Sequence, residues 1–351
     1  MRVIAKPVRA GLIAYFTILL FLASSETVYG QSSACASLKT LEAKTYGFEP
    51  PHLSASERNE KSDEMDHFWE MAKKFGPAAA PCLQQMLASE QNDAFFMFDG
   101  SSLLFTLDSS PESLAAISKA LFHTDLKDVD TAAYISLLLQ LSHRDVDIGA
   151  LAEKYMTYPS VETYLPEHAM KLGRVDGALI LYGSMKPEVA EKYLEALAEG
   201  DDQNARAAAV FCLALNMTEA SFRAFHAGIS LNGVNGDDQK TIRSILSYET
   251  PQTLPQPLLS REQVLKRTNA VIRGDFERVD ESNPPYVAGD EAFKNSAPIQ
   301  LTPADLPLVL EARRQSVRGV SDETIDEYMF WSRIILEIIN RSNLYKGLRI
   351  N

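Results

Sequence analysis

The feature that most constrains this chain is a recurrence of paired helix signals. Long, strongly apolar helical stretches begin near Asp93, Asp130, Glu167 and Asn204, at a constant spacing of 37 residues. Between them lie shorter amphipathic stretches that start at Pro111, Asp145, Pro187 and Glu219. A single helix pair cannot bury its apolar face alone, so pairs repeated at one period are expected to stack on their neighbours. Local start signals agree with the period. Ser54-x-x-Glu57 and Ser260-x-x-Gln263 are capping boxes, in which two orphan backbone donors are satisfied reciprocally. Ser110-Pro111-Glu112, Lys186-Pro187-Glu188, Thr302-Pro303-Ala304-Asp305 and Ser321-Asp322-Glu323 place a proline or an acid in a first helical turn. No stretch alternates strictly in the manner of a half-buried strand. The expected fold is all-α, an α-solenoid of helix pairs closed by a C-terminal helical cap.

Within that pattern, Phe75–Leu87 (FGPAAAPCLQQML) has Gly76-Pro77 in a turn and Pro81-x-Leu83 at the start of a second helix. This unit resembles the short HEAT-like repeats of bacterial α-solenoid proteins. The resemblance extends loosely over residues 57–249, where later units keep the pairing and lose the Gly-Pro turn. It implies a right-handed superhelical stack with a concave surface, and binding more often than catalysis.

The flanks read differently. Arg2, Lys6 and Arg9 precede an unbroken apolar run, Gly11–Ala23, too short to span a bilayer and of the length of a signal-peptide core. Val28-Tyr29-Gly30 suits cleavage before Gln31, so residues 1–30 are expected to be a signal peptide, with an uncleaved membrane anchor the alternative, and the mature protein to be periplasmic or extracellular. Residues 31–56 are expected to form an extended segment. After residue 249, Thr250–Pro257 (TPQTLPQP) cannot be helical. Residues 250–301 read as a proline-containing linker with one helix, and 302–351 as the C-terminal pair. Tyr328, Trp331, Ile334, Ile335 and Ile338 fall at helical spacing and give its last helix one apolar face. The longest later apolar stretch, Ser332–Asn340, is broken by Arg333 and Glu337, so no membrane span is expected after signal cleavage.

Charge narrows the partner. The net charge of −13 becomes −15 once the three cations and Glu26 of residues 1–30 are removed. That balance offers no footprint for nucleic acid and favours a basic protein or peptide. Three cysteines are present. Cys212 lies inside the apolar run Ala207–Leu215 and reads as a buried small hydrophobe. Cys35 and Cys82 remain as a disulfide candidate across 47 residues, with two unpaired thiols the alternative.

No catalytic, metal or cofactor constellation emerges. Glu64-x-x-His67 has the spacing of a di-iron half-site but no second copy. Asp145, in the turn His143–Asp147, reads as an N-cap, and Asn232–Asp238 as a Gly/Asn turn lacking a calcium loop's closing Glu. Nucleophile elbow, phosphate loop and dinucleotide fingerprint are absent from the sequence. The expected function is an exported helical-repeat scaffold that binds through its concave face. Glu112, Lys119, Asp147, Lys154, Glu191, Lys192, Glu195 and Arg223, on the second helices, are its candidate contacts. Tyr155, Tyr158, Tyr164, Tyr182 and Tyr193 cluster near the middle repeats, as interface tyrosines or as inter-repeat core. The alternative is a secreted all-α toroid acting on polysaccharide, which would need two carboxylates facing each other in a cleft. Trp69 and Trp331 sit on amphipathic helices, where core packing accounts for them.

Overall fold

The computed structural model describes residues 34–45, 55–89, 94–126, 131–158, 163–165, 170–247, 260–274 and 301–350. The expected signal peptide, its cleavage site and most of the expected linker lie outside the described residues. The described chain is helical except for one short hairpin, and it forms two compact units that divide between Val129 and Asp130.

The first unit begins with a helix over residues 34–45 (α1), where an extended segment was expected. It continues with α2 (Ala55–Phe75), α3 (Ala80–Leu87), α4 (Ala94–Leu107) and α5 (Pro111–His123). Gly76 breaks α2 from α3 at φ +58°, a left-handed conformation glycine adopts without steric cost. A single 3-10 turn over Gly76–Ala79 then leads into α3. Cys35 of α1 and Cys82 of α3 form a disulfide, with their Cα atoms 5.2 Å apart. Lys39 donates to Gln85 Oε1 at 3.0 Å, and Lys44 pairs with Glu64 at 2.7 Å, which adds two polar ties between α1 and its neighbours. Beneath them Phe68, Leu83, Phe96, Leu103, Leu104, Ile117 and Leu121 are fully enclosed, with the rings of Phe68 and Phe96 edge to face. Ser110 caps α5 by accepting from the Ser113 amide, and Asp108 accepts from both serines, which holds its carboxyl below the usual range.

The second unit contains α6 (Thr131–Ser142), α7 (Gly149–Thr157), α8 (Arg174–Gly183), α9 (Pro187–Ala198), α10 (Gln203–Asn216), α11 (Glu219–Ala227) and α12 (Gly236–Ser247). The helices α6, α8, α10 and α12 pack each against the next, and α7, α9 and α11 form a second row in the same way. The apolar character of α10 follows from its place: Ala205, Ala208, Val210, Phe211, Cys212 and Leu213 are all buried, because α10 meets α8, α9 and α12. Cys212 is free and enclosed, and burial raises its thiol pKa, as suits an inert core residue.

The constant 37-residue spacing does not survive in full. The long helices start at Ala94, Thr131, Arg174 and Gln203, so the intervals are 37, 43 and 29 residues. The cause is an antiparallel hairpin, β1 (Thr163–Leu165) with β2 (Met170–Leu172), which occupies the place where the third long helix was expected to begin near Glu167. Arg174 fixes the delayed start: its guanidinium donates to Met156 O at 2.6 Å and pairs with Asp202 at 3.3 Å. It thereby ties the end of α7 to the N-cap of α10.

The C-terminal helices are α13 (Arg261–Arg273), α14 (Leu306–Ser316) and α15 (Asp322–Ser342). Ser260 caps α13 in the box read from the sequence, and Thr302 and Asp305 cap the 3-10 turn before α14. Arg267 of α13 forms a buried bidentate pair with Glu327 of α15, and the Trp331 indole donates to the same carboxylate at 2.9 Å. Trp331, Ile334, Ile335 and Ile338 are buried on the apolar face of α15.

These helices are not confined to the far end of the helix rows. They lie against the turns of successive pairs. His143 in the α6–α7 turn is hydrogen-bonded through Nε2 to Val317 O, just past α14. Arg314 lies 3.8 Å from Asp145 in the same turn and reaches Ser184 O after α8. Arg313 donates to Leu215 O and Asn216 O at the end of α10, the latter at 2.8 Å. Beyond that, the ring of Tyr345 lies 5.3 Å from that of Phe222 of α11, tilted by 39°, and the Ile350 amide donates to Leu246 O of α12. The approach is close: a Cβ on Gly183 would stand 2.5 Å from the buried ring of Tyr328. Within the described residues the C-terminal pair is therefore a lateral brace.

Candidate binding surface and cavity

The expected contact residues divide between the units. Glu112 and Lys119 are exposed on α5 of the first unit. In the second unit Asp147 precedes α7, Lys154 lies on α7, Lys192 and Glu195 on α9, and Arg223 on α11, so the row α7–α9–α11 carries all of them. Lys192 and Glu195 are exposed, whereas Arg223 is paired with Glu219 one turn earlier. Asp147 is occupied within the unit: it accepts from the Gly149 amide at 2.9 Å and from the Tyr193 hydroxyl at 3.2 Å. Gly149 leaves room for that ring, since a Cβ there would lie 1.8 Å from Tyr193.

Two assignments need correcting. Glu191 is buried, not a surface contact. Its Oε1 accepts from Asn216 Nδ2 at 3.0 Å and from the Thr218 hydroxyl, and burial raises its pKa. A surface-like sequence position is enclosed because the α10–α11 turn folds over it and supplies two donors. Asp145 is not the N-cap of α7; Ile148 holds that position and Asp147 supplies the side-chain acceptor. Asp145 instead takes a left-handed φ of +59° and pairs with Lys186 at 3.0 Å. That pairing holds its carboxyl below the ordinary range.

Tyr155 and Tyr182 are core residues, Tyr193 is half-buried, and Tyr158 is partly buried at the end of α7. Tyr164 lies in β1, and its side chain is outside the described residues. Trp69 is half-buried with Lys73 over its ring. Glu64 is committed to Lys44, and no metal-binding cluster of His, Cys, Asp or Glu occurs among the described residues. Asn235 caps α12 through the amides of Asp237 and Asp238, which accounts for the Asn-Gly turn without a cation. No helix among the described residues is long and apolar enough to cross a membrane.

Sequence reasoning did not find a cavity of about 440 Å³ inside the second unit, between the end of α10, α12 and α15. Its floor is apolar: Leu215, Met217, Ile245 and Leu336 are all nearly enclosed. Its rim is polar, with Thr241 and Ser244 on α12 and two cations, Lys240 and Arg333, both exposed. The lining contains no carboxylate, although the chain has 47 acids against 34 Lys and Arg. Facing carboxylates of the kind a glycosidase-type toroid needs do not line this cavity. Met217 is the pivot of the site: as the C-cap of α10 it adopts φ 56°, ψ 30°, which turns the chain away and opens the space beside α12.

His143 is the titratable group most altered by the brace. With Nε2 committed to Val317 O, the other nitrogen, Nδ1, is buried without a hydrogen-bond partner. Burial lowers its pKa below 6.5, and Arg318 and Arg314 act in the same direction. The folded state therefore binds this proton less readily than the unfolded chain, so its contribution to stability is full above pH 6.5 and falls as pH drops through that value. Wild-type protein is expected to lose stability between pH 7 and 5 with a slope from this group of at most about 1.4 kcal/mol per pH unit. In His143→Gln that component should vanish. Urea midpoints across the range would check it, and parallel pH profiles for the two proteins would contradict it.

No protein-family model matches the chain, and no curated protein or solved structure matches it significantly. The HEAT-like resemblance accordingly rests on Phe75–Leu87 and the helix pairing.

Proposed function

We propose that this is an exported helical-repeat scaffold, in which a HEAT-like α-solenoid binds a protein or peptide through the row α7–α9–α11. The observation that carries the reading is the ordering of the second unit into two rows of neighbouring helices, α6–α8–α10–α12 and α7–α9–α11. Such rows create an extended surface whose contacts are made by successive repeats, and repeat arrays use that surface for binding. The exposed Lys192 and Glu195 offer polar contacts on its middle helix. Export is supported by the basic and apolar start of the chain and by the Cys35–Cys82 bridge, a bond that persists in oxidising compartments. The net charge of −13 favours a basic partner. The C-terminal helices, in place of a terminal cap, brace the turns and keep the rows in register.

The test is affinity capture of the protein from its own envelope fraction at low and moderate salt, wild type beside Lys192→Glu/Glu195→Lys. A partner retained by wild type and lost by the double variant is expected. N-terminal sequencing of the same material should begin at Gln31. Capture that is indifferent to the charge swap, or an intact N-terminus in the cytoplasmic fraction, would refute the reading.

A further inference from the structure

We infer that the cavity between α10, α12 and α15 is a binding site for a small monoanionic amphiphile, an aliphatic carboxylate in chemical class. This goes beyond the scaffold reading and does not depend on it. The volume of about 440 Å³ falls in the range of cavities that enclose small organic ligands, roughly 300–1,000 Å³. The floor of Leu215, Met217, Ile245 and Leu336 is apolar, and the buried Ser332 beside it already donates to Tyr328 O and accepts from Arg313, so the enclosed part of a ligand is hydrocarbon. The headgroup is set by the rim. Lys240 is already paired with Asp237 at 2.8 Å, whereas Arg333 has no ion-pair partner among the described residues. One cation is thus left uncompensated, which matches a single negative charge. A guanidinium also presents the planar fork that carboxylates accept. The alternation of apolar floor and cationic rim orients the ligand, tail inward and carboxylate at the α12–α15 mouth.

Calorimetric titration of the purified, disulfide-bonded protein with octanoate, 1-octanol and acetate separates the contributions. Octanoate is expected to bind at least about tenfold more tightly than either comparison ligand, because only it satisfies both floor and rim. Arg333→Gln should weaken octanoate about tenfold and leave octanol unchanged, with an unaltered unfolding midpoint to show that the fold is intact. Moderate salt should weaken octanoate and not octanol, since the rim charges are exposed to screening. Octanol equal to octanoate, an unchanged affinity in Arg333→Gln, or no detectable binding of any of the three would overturn the assignment. Tighter binding of dianionic octyl phosphate than of octanoate would overturn the monoanion.

Discussion

Replacing Arg313 by Ala is expected to lower the stability of the second unit by about 3–5 kcal/mol, because buried donors, two helix-end carbonyls and a cavity are exposed to loss together. The residue is fully enclosed on α14, yet among the described residues no carboxylate pairs with it. Its guanidinium donates to Leu215 O, Asn216 O and the Ser332 hydroxyl, and it lies 4.9 Å from the ring centroid of Tyr328. The carbonyls are the orphan acceptors at the C-terminus of α10, where the helix dipole is negative, so the helix end and the aromatic face together take the place of a counterion. Burial lowers the pKa of Arg313, which remains a cation at neutral pH. Arg313→Met keeps the aliphatic volume and forfeits the hydrogen bonds, and should cost roughly half as much as Ala. Arg313→Lys keeps the charge and cannot reproduce the fork that spans two carbonyls and a hydroxyl. Trp331 is the only tryptophan of this unit, so urea unfolding followed by fluorescence in a Trp69→Phe background isolates the effect. A loss under 1 kcal/mol for Ala would show that the brace contributes little to the unit.

Arg313 also marks where the sequence stops being legible. Helices announced themselves wherever local chemistry decides the outcome: Ser110, Ser260, Thr302 and Ser321 each accept the backbone amide or close the box expected of them. What distant partners decide was hidden. Arg313 and Arg314 are adjacent basic residues in the last turn of α14, and only the neighbouring turns reveal one as a buried plug and the other as a link to Asp145. Glu191 sits among residues of ordinary surface composition, and its burial depends on Asn216 and Thr218, more than 20 residues away. The two strands, three residues each, are too short for period-2 alternation to register, and β2 lies inside the stretch expected as a helix from Glu167, which distorted the apparent repeat. The α1 segment carries helix-forming residues, SLKTLEAK over Ser37–Lys44, where an extended segment was expected. The cavity had no sequence signal, since its lining on α12 ends at Ile245 and its lining on α15 begins at Met329, more than 80 residues further along the chain.

Breaking the Cys35–Cys82 bridge is expected to have a comparable effect on the first unit, about 4 kcal/mol for a loop of 47 residues on the chain-entropy account. That is a large fraction of the stability of a unit this size. The Lys39–Gln85 and Lys44–Glu64 contacts of α1 are exposed on the lysine side and worth little individually. Ala34 and Leu38 bury their side chains, but a helix over 34–45 is short enough to be marginal without a covalent anchor. The bridge both constrains the unfolded chain and holds α1 against α3 in the folded one. In a Trp331→Phe background, Trp69 reports on this unit alone. Cys35→Ser/Cys82→Ser, or wild type under reducing conditions, should then unfold at markedly lower urea, while the transition reported by Trp331 in the complementary Trp69→Phe background stays in place. Limited proteolysis should cut first within α1 once the bridge is gone. Identical urea midpoints for oxidised and reduced protein would mean that α1 is held by packing alone and that the bridge is dispensable to the fold.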